Sequence, residues 1–554
     1  MAQASFDFMN PAERPSALSP LSYRIFRRVW IASMSSNLGG LIQSVGAAWL
    51  MTSIAATADM VALVQASVTL PIMLLSLVAG AMADNLDRRT VMLGAQIFMF
   101  LVSIVLAVCA WLDLITPWLL LMFTFLIGCG TAFNAPAWQA SVGDMVPRME
   151  LPGAVALNSM GYNIARSAGP ALGGAIVAVA GVAMAFGLNA ISYVPLIVVL
   201  FRWQPPPDPR ILPRETLGAA MAAGARYVAM SPALRVVLLR SAVFCVGAGA
   251  VVALMPLIAK EQVAGGPIIY GLLLGAFGVG AVLGAMASAR LREVLSTEAI
   301  VRWSCVGFAV ATAVAGLSNS LTATIMAMLL GGAGWVLALS TFNVTVQMST
   351  PRWVVGRSLS LYQMAAFGGL AAGSWLWGVV AAAGSVRTAL LLAVGVVLTC
   401  ALLGRWRPLA QAENIDLEPL HEWQEPDTVV SVESRTGPVV ITIEYLIREE
   451  DILEFLAAMA ERRRIRRRDG ARNWRLLRDL GDRQIWVERY ETATWLDYLR
   501  HNTRLTRDDA IVPERVRALH IGPEPPRVRR MIERQTSTLP MEHAPGGREL
   551  VELP

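Results

Sequence analysis

MVALVQASVTLPIMLLSLVAGAMADNLDRR, residues 60–89, contains the pattern that decides this chain. From Met60 to Met82 there is no charge. That run is long enough to cross a ~30 Å hydrocarbon core, which takes about 20 apolar residues in a helix. The chain then turns polar at once, with Asp84, Asp87, Arg88 and Arg89 close together. The same alternation recurs from Val29 to Gly404. Apolar runs fall near 29–52, 60–82, 91–112, 118–139, 157–180, 184–201, 236–259, 270–289, 299–317, 321–346, 359–382 and 386–404. A half-buried strand or surface helix would interleave polar positions instead. The reading is an all-α polytopic membrane protein with twelve transmembrane helices.

Charge divides the chain in two. Of 554 residues 55% are hydrophobic, yet residues 410–554 carry 23 of the 46 basic and 27 of the 40 acidic side chains. A net-positive membrane body is therefore followed by a net-negative tail, long enough for one small domain. All five cysteines (Cys109, Cys129, Cys245, Cys305, Cys400) fall in apolar runs, so they read as packing residues, with neither a disulfide framework nor zinc spacing. No metal and no cofactor is expected. All four histidines lie in the tail, and the lone lysine, Lys260, is not part of a phosphate-binding GxxxxGK loop. A single-chain ATP-driven pump is thereby disfavoured. Residues 1–20 lack the short apolar core of a signal peptide, and none is expected.

Arginine sets the orientation. One series of connections carries Arg24, Arg27, Arg28, Arg88, Arg89, Arg148, Arg202, Arg210, Arg214, Arg226, Arg290, Arg292, Arg352, Arg357, Arg405 and Arg407; the other carries only Lys260 and Arg387. The positive-inside rule places both termini in the cytoplasm. The two halves also repeat. Gly80-Ala81-Met82-Ala83 recurs as Gly284-Ala285-Met286-Ala287, an offset of 204. At the same offset Arg88 maps to Arg292, Pro147-Arg148 to Pro351-Arg352, Gly128 and Gly130 to Gly332 and Gly334, and Gly169 and Gly174 to Gly373 and Gly378. Two six-helix halves in one orientation are parallel repeats about an axis along the membrane normal. The chain then divides into an N-terminal segment (1–28), a first half (29–201), a central cytoplasmic loop (202–234), a second half (235–404), a linker (405–437), a cytosolic domain (438–535) and a tail expected to be disordered (536–554).

Six plus six helices around a long central loop resemble the major facilitator superfamily. Gly80-x-x-x-Asp84-x-x-Asp87-Arg88-Arg89 resembles its cytoplasmic loop signature, with Asp87 where that signature usually has Gly. The resemblance implies that these residues tie the halves together when the inner side is closed, with Asp84 facing the start of the eleventh span near Ser358. Arg88 and Arg89 alone would also support a simple positive-inside anchor, and it is the spacing of Gly80 and Asp84 that favours the signature. Asn134-Ala135-Pro136-Ala137, Pro147-Arg148, Leu157-Asn158 and Ala165-Arg166-Ser167-Ala168-Gly169-Pro170-Ala171-Leu172-Gly173-Gly174 together resemble the enterobactin-exporter-like branch, the transmembrane secretion effector family. The Gly169-Pro170-x-x-Gly173-Gly174 part resembles the antiporter motif of exporters, with Ala165 and Ala156 where further glycines are usual. The resemblance implies alternating-access export of small amphipathic molecules (siderophores, drugs or secondary metabolites) coupled to protons. Import through the same fold remains the alternative.

An amphipathic cargo needs a mostly apolar cavity with a few polar groups. The candidates are Asn37, Gln43, Asn134, Gln139, Asn163, Arg166, Asn343, Gln347 and Gln363. Each alone could instead be an interhelical hydrogen bond, worth about 0.6 kcal/mol on average. Asn343 and Gln347 share one helix face, as do Asn163 and Arg166. Arg166 lies deep in the fifth span, where a charge costs at least ~2.5 kcal/mol on insertion scales and should face a cavity or a partner. A structural arginine on backbone carbonyls and a contact to an anionic or hydroxylated substrate both fit. No Asp or Glu stands mid-span to titrate with a transported proton.

The tail reads as β-α-β-β-α, with strands at 439–447, 475–480 and 484–490, helices at 449–468, 494–503 and near 509–519, and a further segment at 528–532. This resembles ferredoxin-like domains of the antibiotic-biosynthesis-monooxygenase type. A transporter fused to a cofactor-free monooxygenase-like enzyme is therefore a second alternative, although fold alone does not establish activity. The run Arg462–Arg468 reads as a solvated helix end favourable to the helix dipole. The net-acidic tail argues against nucleic acid. An apolar strand face containing Val440, Tyr445, Trp486 and Val487 calls for cover and points to dimerisation.

Overall fold

The computed structural model describes residues 19–55, 57–147, 150–204, 217–351, 353–409, 426 and 428–533. Contacts divide the chain into two compact units. The first is helical and holds 235–346, 359–411 and the chain up to Met221. Its helices are α1 (Arg24–Ile54), α2 (Ala58–Asn85), α3 (Arg88–Trp111), α4 (Pro117–Met145), α5 (Leu151–Arg202), α6 (Leu217–Met230), α7 (Pro232–Leu257), α8 (Pro267–Val294), α9 (Thr297–Leu317), α10 (Leu321–Met348), α11 (Val355–Ala383) and α12 (Val386–Trp406), of which α6, α7, α10 and α11 run on into the second unit. Among the described residues ten helical segments are long and apolar enough to cross a membrane; α1, with its three arginines, is not in that set. α5 counts once in it, although Gly181 breaks the helix with φ +82°. That left-handed conformation suits a residue without Cβ. The apolar runs at 157–180 and 184–201 thus meet without a polar loop. Side-chain N-caps fix several starts: Asp87 for α3, Thr116 for α4, Ser296 for α9 and Ser385 for α12.

The outer surface is apolar, as lipid requires. Leu101, Val105 and Val108 on α3 are exposed, and Trp111, Trp118 and Trp406 stand out at helix ends, where an aromatic belt would meet the headgroups. Inside, close packing follows the repeat. A Cβ on Gly128 would sit 2.9 Å from the Val68 carbonyl of α2, and one on Gly332 would strike the Phe277 carbonyl of α8. Gly130 lies against Met99 of α3 and Gly334 against Ser304 of α9. α4 therefore packs on α2 and α3 as α10 packs on α8 and α9. Across the halves, a Cβ on Gly174 of α5 would lie 2.6 Å from the Pro267 carbonyl of α8, and one on Gly378 of α11 would lie 2.9 Å from Asp59 Cα of α2. Backbones that approach this closely tolerate only small residues, the usual solution where lipid supplies no hydrophobic drive between helices.

The second unit comprises 222–234, 347–358 and the chain from Ala412 onward. Its sheet has four strands, β1 (Val439–Leu446), β2 (Arg472–Arg478), β3 (Ile485–Thr492) and β4 (Arg527–Ile532), in the order β2-β3-β1-β4 with every neighbouring pair antiparallel. The helices are α13 (Ile452–Arg468), α14 (Trp495–Thr503) and α15 (Arg507–Ala518), the last begun by a Thr506–Asp509 capping box. The core gathers Ile441, Ile443, Tyr445, Phe455, Met459, Trp486, Tyr490 and Tyr498.

Two readings of the tail need correction. Tyr445 and Trp486 are in this core, whereas Val440 and Val487 fall on the other face of their strands, because side chains alternate with period two. The four do not make one apolar face. The arginine run is not simply a solvated helix end. Arg462 and Arg466 are buried, where Arg462 Nε donates to Glu488 at 2.8 Å and Arg466 pairs with it at 3.6 Å. Tyr445 Oη and Trp474 Nε1 donate to the same carboxylate, each at 2.9 Å. Burial would raise the pKa of Glu488, but Arg462 and Arg466 outweigh it and hold it at about 2. Arg466 also lies 4.6 Å over the Tyr490 ring and bonds His501 Nε2 at 2.8 Å. Helical spacing explains the miss: positions 462 and 466 are four apart and share the face that carries Phe455, Ala458 and Met459.

Candidate functional site

Arg166 lies on α5, half-buried, with its guanidinium 5.8 Å from the Phe277 ring centroid on α8. A charge of the first half is thus held against an aromatic face of the second. A cation over a ring is attracted by its quadrupole, by up to about 2 kcal/mol when desolvated. The pair sits on the α5–α8 contact that Gly174 and Gly271 bring together. Of the remaining polar candidates, Asn37, Asn343 and Gln363 are half-buried, and Gln139 and Gln347 are exposed. Asn134 is half-buried and its Oδ1 has no hydrogen-bond partner among the described residues. The side chain of Asn163 lies outside the described residues.

Gln43 is placed differently from the cavity role read in the sequence. It is 5% exposed and accepts hydrogen bonds from Asn189 Nδ2 and, at 3.2 Å, from Ser103 Oγ. Asn189 in turn reaches Tyr193 Oη at 3.2 Å. This closed network ties α1, α3 and α5, and its members satisfy one another as buried polar groups must. Asn158 likewise accepts from Trp138 Nε1 at 2.8 Å and joins α4 to α5.

In the connection between α2 and α3, the described side chains bond locally. Asp87 caps α3, accepting from Arg89 N at 3.2 Å and Thr90 Oγ1 at 2.6 Å. Arg88 Nη1 donates to Asp144 and to the Ala140 carbonyl, each at 3.0 Å. Arg89 donates to the carbonyls of Leu200 and Phe201 at 2.8 Å, covering the orphan acceptors of the α5 C-terminus. All of these bonds stay inside the first half, because each side chain meets a helix end beside its own loop. The side chain of Asp84 lies outside the described residues. Contact with the second half comes from α2 itself: a Cβ on Gly80 would lie 2.8 Å from Ser360 Oγ, and Ser76 Oγ donates to the Ser360 carbonyl at 3.4 Å. In the α5 motif, a Cβ on Gly169 would meet Leu41 at 2.8 Å and one on Gly173 would meet Ile42 Cα at 3.0 Å, so α1 lies on one side and, through Pro170 and Gly174, α8 on the other.

Two features escaped the sequence reading. Arg240 on α7 is completely buried and forms a two-pronged ion pair with Glu298 at the start of α9, Nη2 to Oε1 at 2.9 Å. Glu298 also accepts from Leu409 N at 3.1 Å. Arg240 stands four residues into the apolar run 236–259, where an arginine can either reach the headgroups or pair, and its complete burial here requires the pairing. Lys260 donates to the Thr52 carbonyl at the end of α1, and beside it Trp49 stacks on Tyr270 at 6.4 Å. No metal-holding cluster of His, Cys, Asp or Glu occurs among the described residues.

Long apolar helices packed as repeating halves, with Arg166 where the halves meet, are the body of a membrane transporter of the major facilitator type, the class to which the chain's family pattern assigns it. A bacterial homologue of the human lysosomal transporter Spinster, solved in an inward-facing, unoccupied conformation, shares this fold, with a TM-score of 0.57 at 14% identity over 70% of this chain and 97% of its own. The chain belongs to the transmembrane secretion effector family, whose sequence pattern matches residues 15–538. It is 30% identical over 351 residues to the enterobactin exporter EntS of Citrobacter koseri, covering 60% of this chain and 81% of that one. It is 31% identical over 157 residues to the staphyloferrin A transporter of Staphylococcus aureus, covering 28% and 40%. The relatives are transporters rather than enzymes.

Proposed function

We propose that this protein exports small amphipathic molecules, siderophores foremost, by alternating access across a bacterial inner membrane in exchange for protons. The observation that carries the reading is the likeness to a siderophore exporter over 81% of that exporter's length. The geometry is compatible with it. Arg166 against Phe277 offers a cation and an aromatic face at the junction of the halves, and Asn134 Oδ1 offers an acceptor with no partner among the described residues. Arg166 is the residue we assign to an anionic or hydroxylated cargo, with Asn37, Asn134, Gln139, Asn163, Asn343, Gln347 and Gln363 as further contacts. The membrane body is read as twelve spans, counting α1 and both arms of α5, with both termini cytoplasmic. The tail is read as a ferredoxin-like domain from its strand order, and dimerisation through it is part of the proposal. Arg462, Arg466 and Glu488 fill the tail's interior with bonded charges, which favours a structural over an enzymatic tail.

Expression in a host lacking its own siderophore exporter tests this. Release of enterobactin or staphyloferrin A into the medium should be restored. Unrestored release of both, with the protein abundant in the membrane, would refute the siderophore assignment.

A further inference from the structure

The second unit is more than a tail domain. It includes residues 222–234, which span the end of α6 and the start of α7, and residues 347–358, which join α10 to α11. These two pieces meet the domain through a pair of rings. Tyr227 and Trp353 stand edge to face, with centroids 5.6 Å apart. Each ring is covered by an arginine of the domain: Arg468, at the end of α13, lies 5.0 Å over Tyr227, and Arg504, at the end of α14, lies 4.0 Å over Trp353. Arg226 Nε adds a hydrogen bond to the Arg468 carbonyl at 3.2 Å.

The clasp is held from behind. Arg468 donates to Asp469 at 2.9 Å and to Asp509 at 2.7 Å, and Asp509 also closes the capping box of α15. The Arg468 guanidinium is therefore fixed before it meets Tyr227. Trp353 Nε1 is buried without a hydrogen-bond partner among the described residues, so ring contacts rather than a polar bond fix that indole. Trp353 stands two residues before α11 begins at Val355. The first turns of α11 carry Ser360, the residue that Ser76 and Gly80 of α2 meet. Whatever fixes Trp353 therefore bears on the helix end that α2 meets.

We propose that the C-terminal domain is a positioning brace for the start of α11, and so for the α2–α11 contact, acting through the clasp of Arg468 and Arg504 on Tyr227 and Trp353. Transport then needs the domain not for chemistry but to hold the start of α11 in register. The domain's partner is a pair of segments of its own chain. Its role rests on the alternating-access reading only for the transport consequence; the positional claim stands apart from any cargo.

The test is a cross-link in the full chain. A Cβ built on Gly80 lies 4.0 Å from Ser360 Cβ, within the separation a disulfide requires. Gly80→Cys with Ser360→Cys should therefore become protected from a maleimide reagent after mild oxidation. Adding Trp353→Ala should slow that protection at least about twofold, the lower end of coupling carried by such side chains. Arg504→Ala should slow it too, and Trp353→Phe, which keeps a ring under Arg504, should restore it. Arg504→Ala alters only the domain and serves if Trp353→Ala does not reach the membrane. An unchanged or faster rate in the variants that reach the membrane would overturn the proposal. A parent that cross-links as described but moves no siderophore would sink the export reading and leave the brace standing.

Discussion

Glu298→Gln is the substitution whose cost can be worked most directly. Arg240 has no exposed surface, while the Glu298 side chain keeps 19% of its own. Removing the carboxylate charge leaves a guanidinium buried in an apolar helix packing with half of its bonds weakened. Breaking a buried pair in this way costs roughly 3–5 kcal/mol, and the partial exposure of Glu298 points to the lower end. About 3 kcal/mol corresponds to roughly a hundredfold change in an equilibrium. Removing both charges together, as Arg240→Met with Glu298→Leu, should return most of that loss, because apolar replacement of a buried pair is often neutral or better. Gly404→Ala probes the same locus from α12: its new Cβ would strike Glu298 Oε1 and lie 2.9 Å from Arg240 Nη2. The assay is the fraction of detergent-solubilised protein that remains monodisperse after a heating series. The single variant and Gly404→Ala should melt well below the parent, and the double variant close to it. A Glu298→Gln variant as heat-stable as the parent, or a double variant worse than either single change, would refute the reasoning.

Three further outcomes follow from the same contacts. Gly332→Val should cut membrane abundance sharply on immunoblots, since its Cβ would strike the Phe277 carbonyl of α8, whereas Gly143→Val, with open space at its Cβ, should not. Arg166→Leu should insert at parental levels, because it removes a costly charge, and should abolish or redirect cargo release; Arg166→Lys should rescue in part, keeping charge without the planar fork. The tail should lose stability on acidification: Glu488 is held at about 2, below its unfolded value, so its contribution is complete above about 4.5 and fades as pH falls toward 2. Hydrogen-exchange protection factors across β3, taken relative to the intrinsic rate at each pH, should fall over that window in the parent, and Glu488→Gln should flatten that fall because β3 is already weakened above about pH 4.5.

The membrane body was legible because lipid leaves little choice. Every backbone group must bond within a helix, so a run such as Met60–Met82 reads as α2 almost on sight. The repeat was legible through glycine: Gly128 with Gly332 and Gly130 with Gly334 mark places where backbones touch, and the contacts obey the same offset. Side-chain partners were harder, because sequence spacing reports neighbours on one helix and says nothing of the helix opposite. Gln43 looked like a cargo contact until Ser103 and Asn189 were found beside it. Arg88 and Arg89 carry a signature associated with joining the halves, yet here they meet Asp144 and the end of α5. Arg240 shows the opposite case. It stands near the start of its apolar run, where a partner or the headgroups would both serve, and Glu298 was hidden by its place at the edge of a polar loop. In the tail, alternation marked the strand at 439–447, whereas the partner that lets Arg462 and Arg466 be buried, Glu488, stands on a strand whose place beside α13 no spacing along the helix reports.

The central claim is directional transport, and everted membrane vesicles test it most directly. Vesicles carrying the parent chain and acidified inside should accumulate enterobactin or staphyloferrin A against its gradient. A protonophore should abolish the accumulation, and vesicles carrying Arg166→Leu should show none or an altered preference. Accumulation in right-side-out vesicles alone, or none in either orientation with the protein abundant in both, would contradict the account.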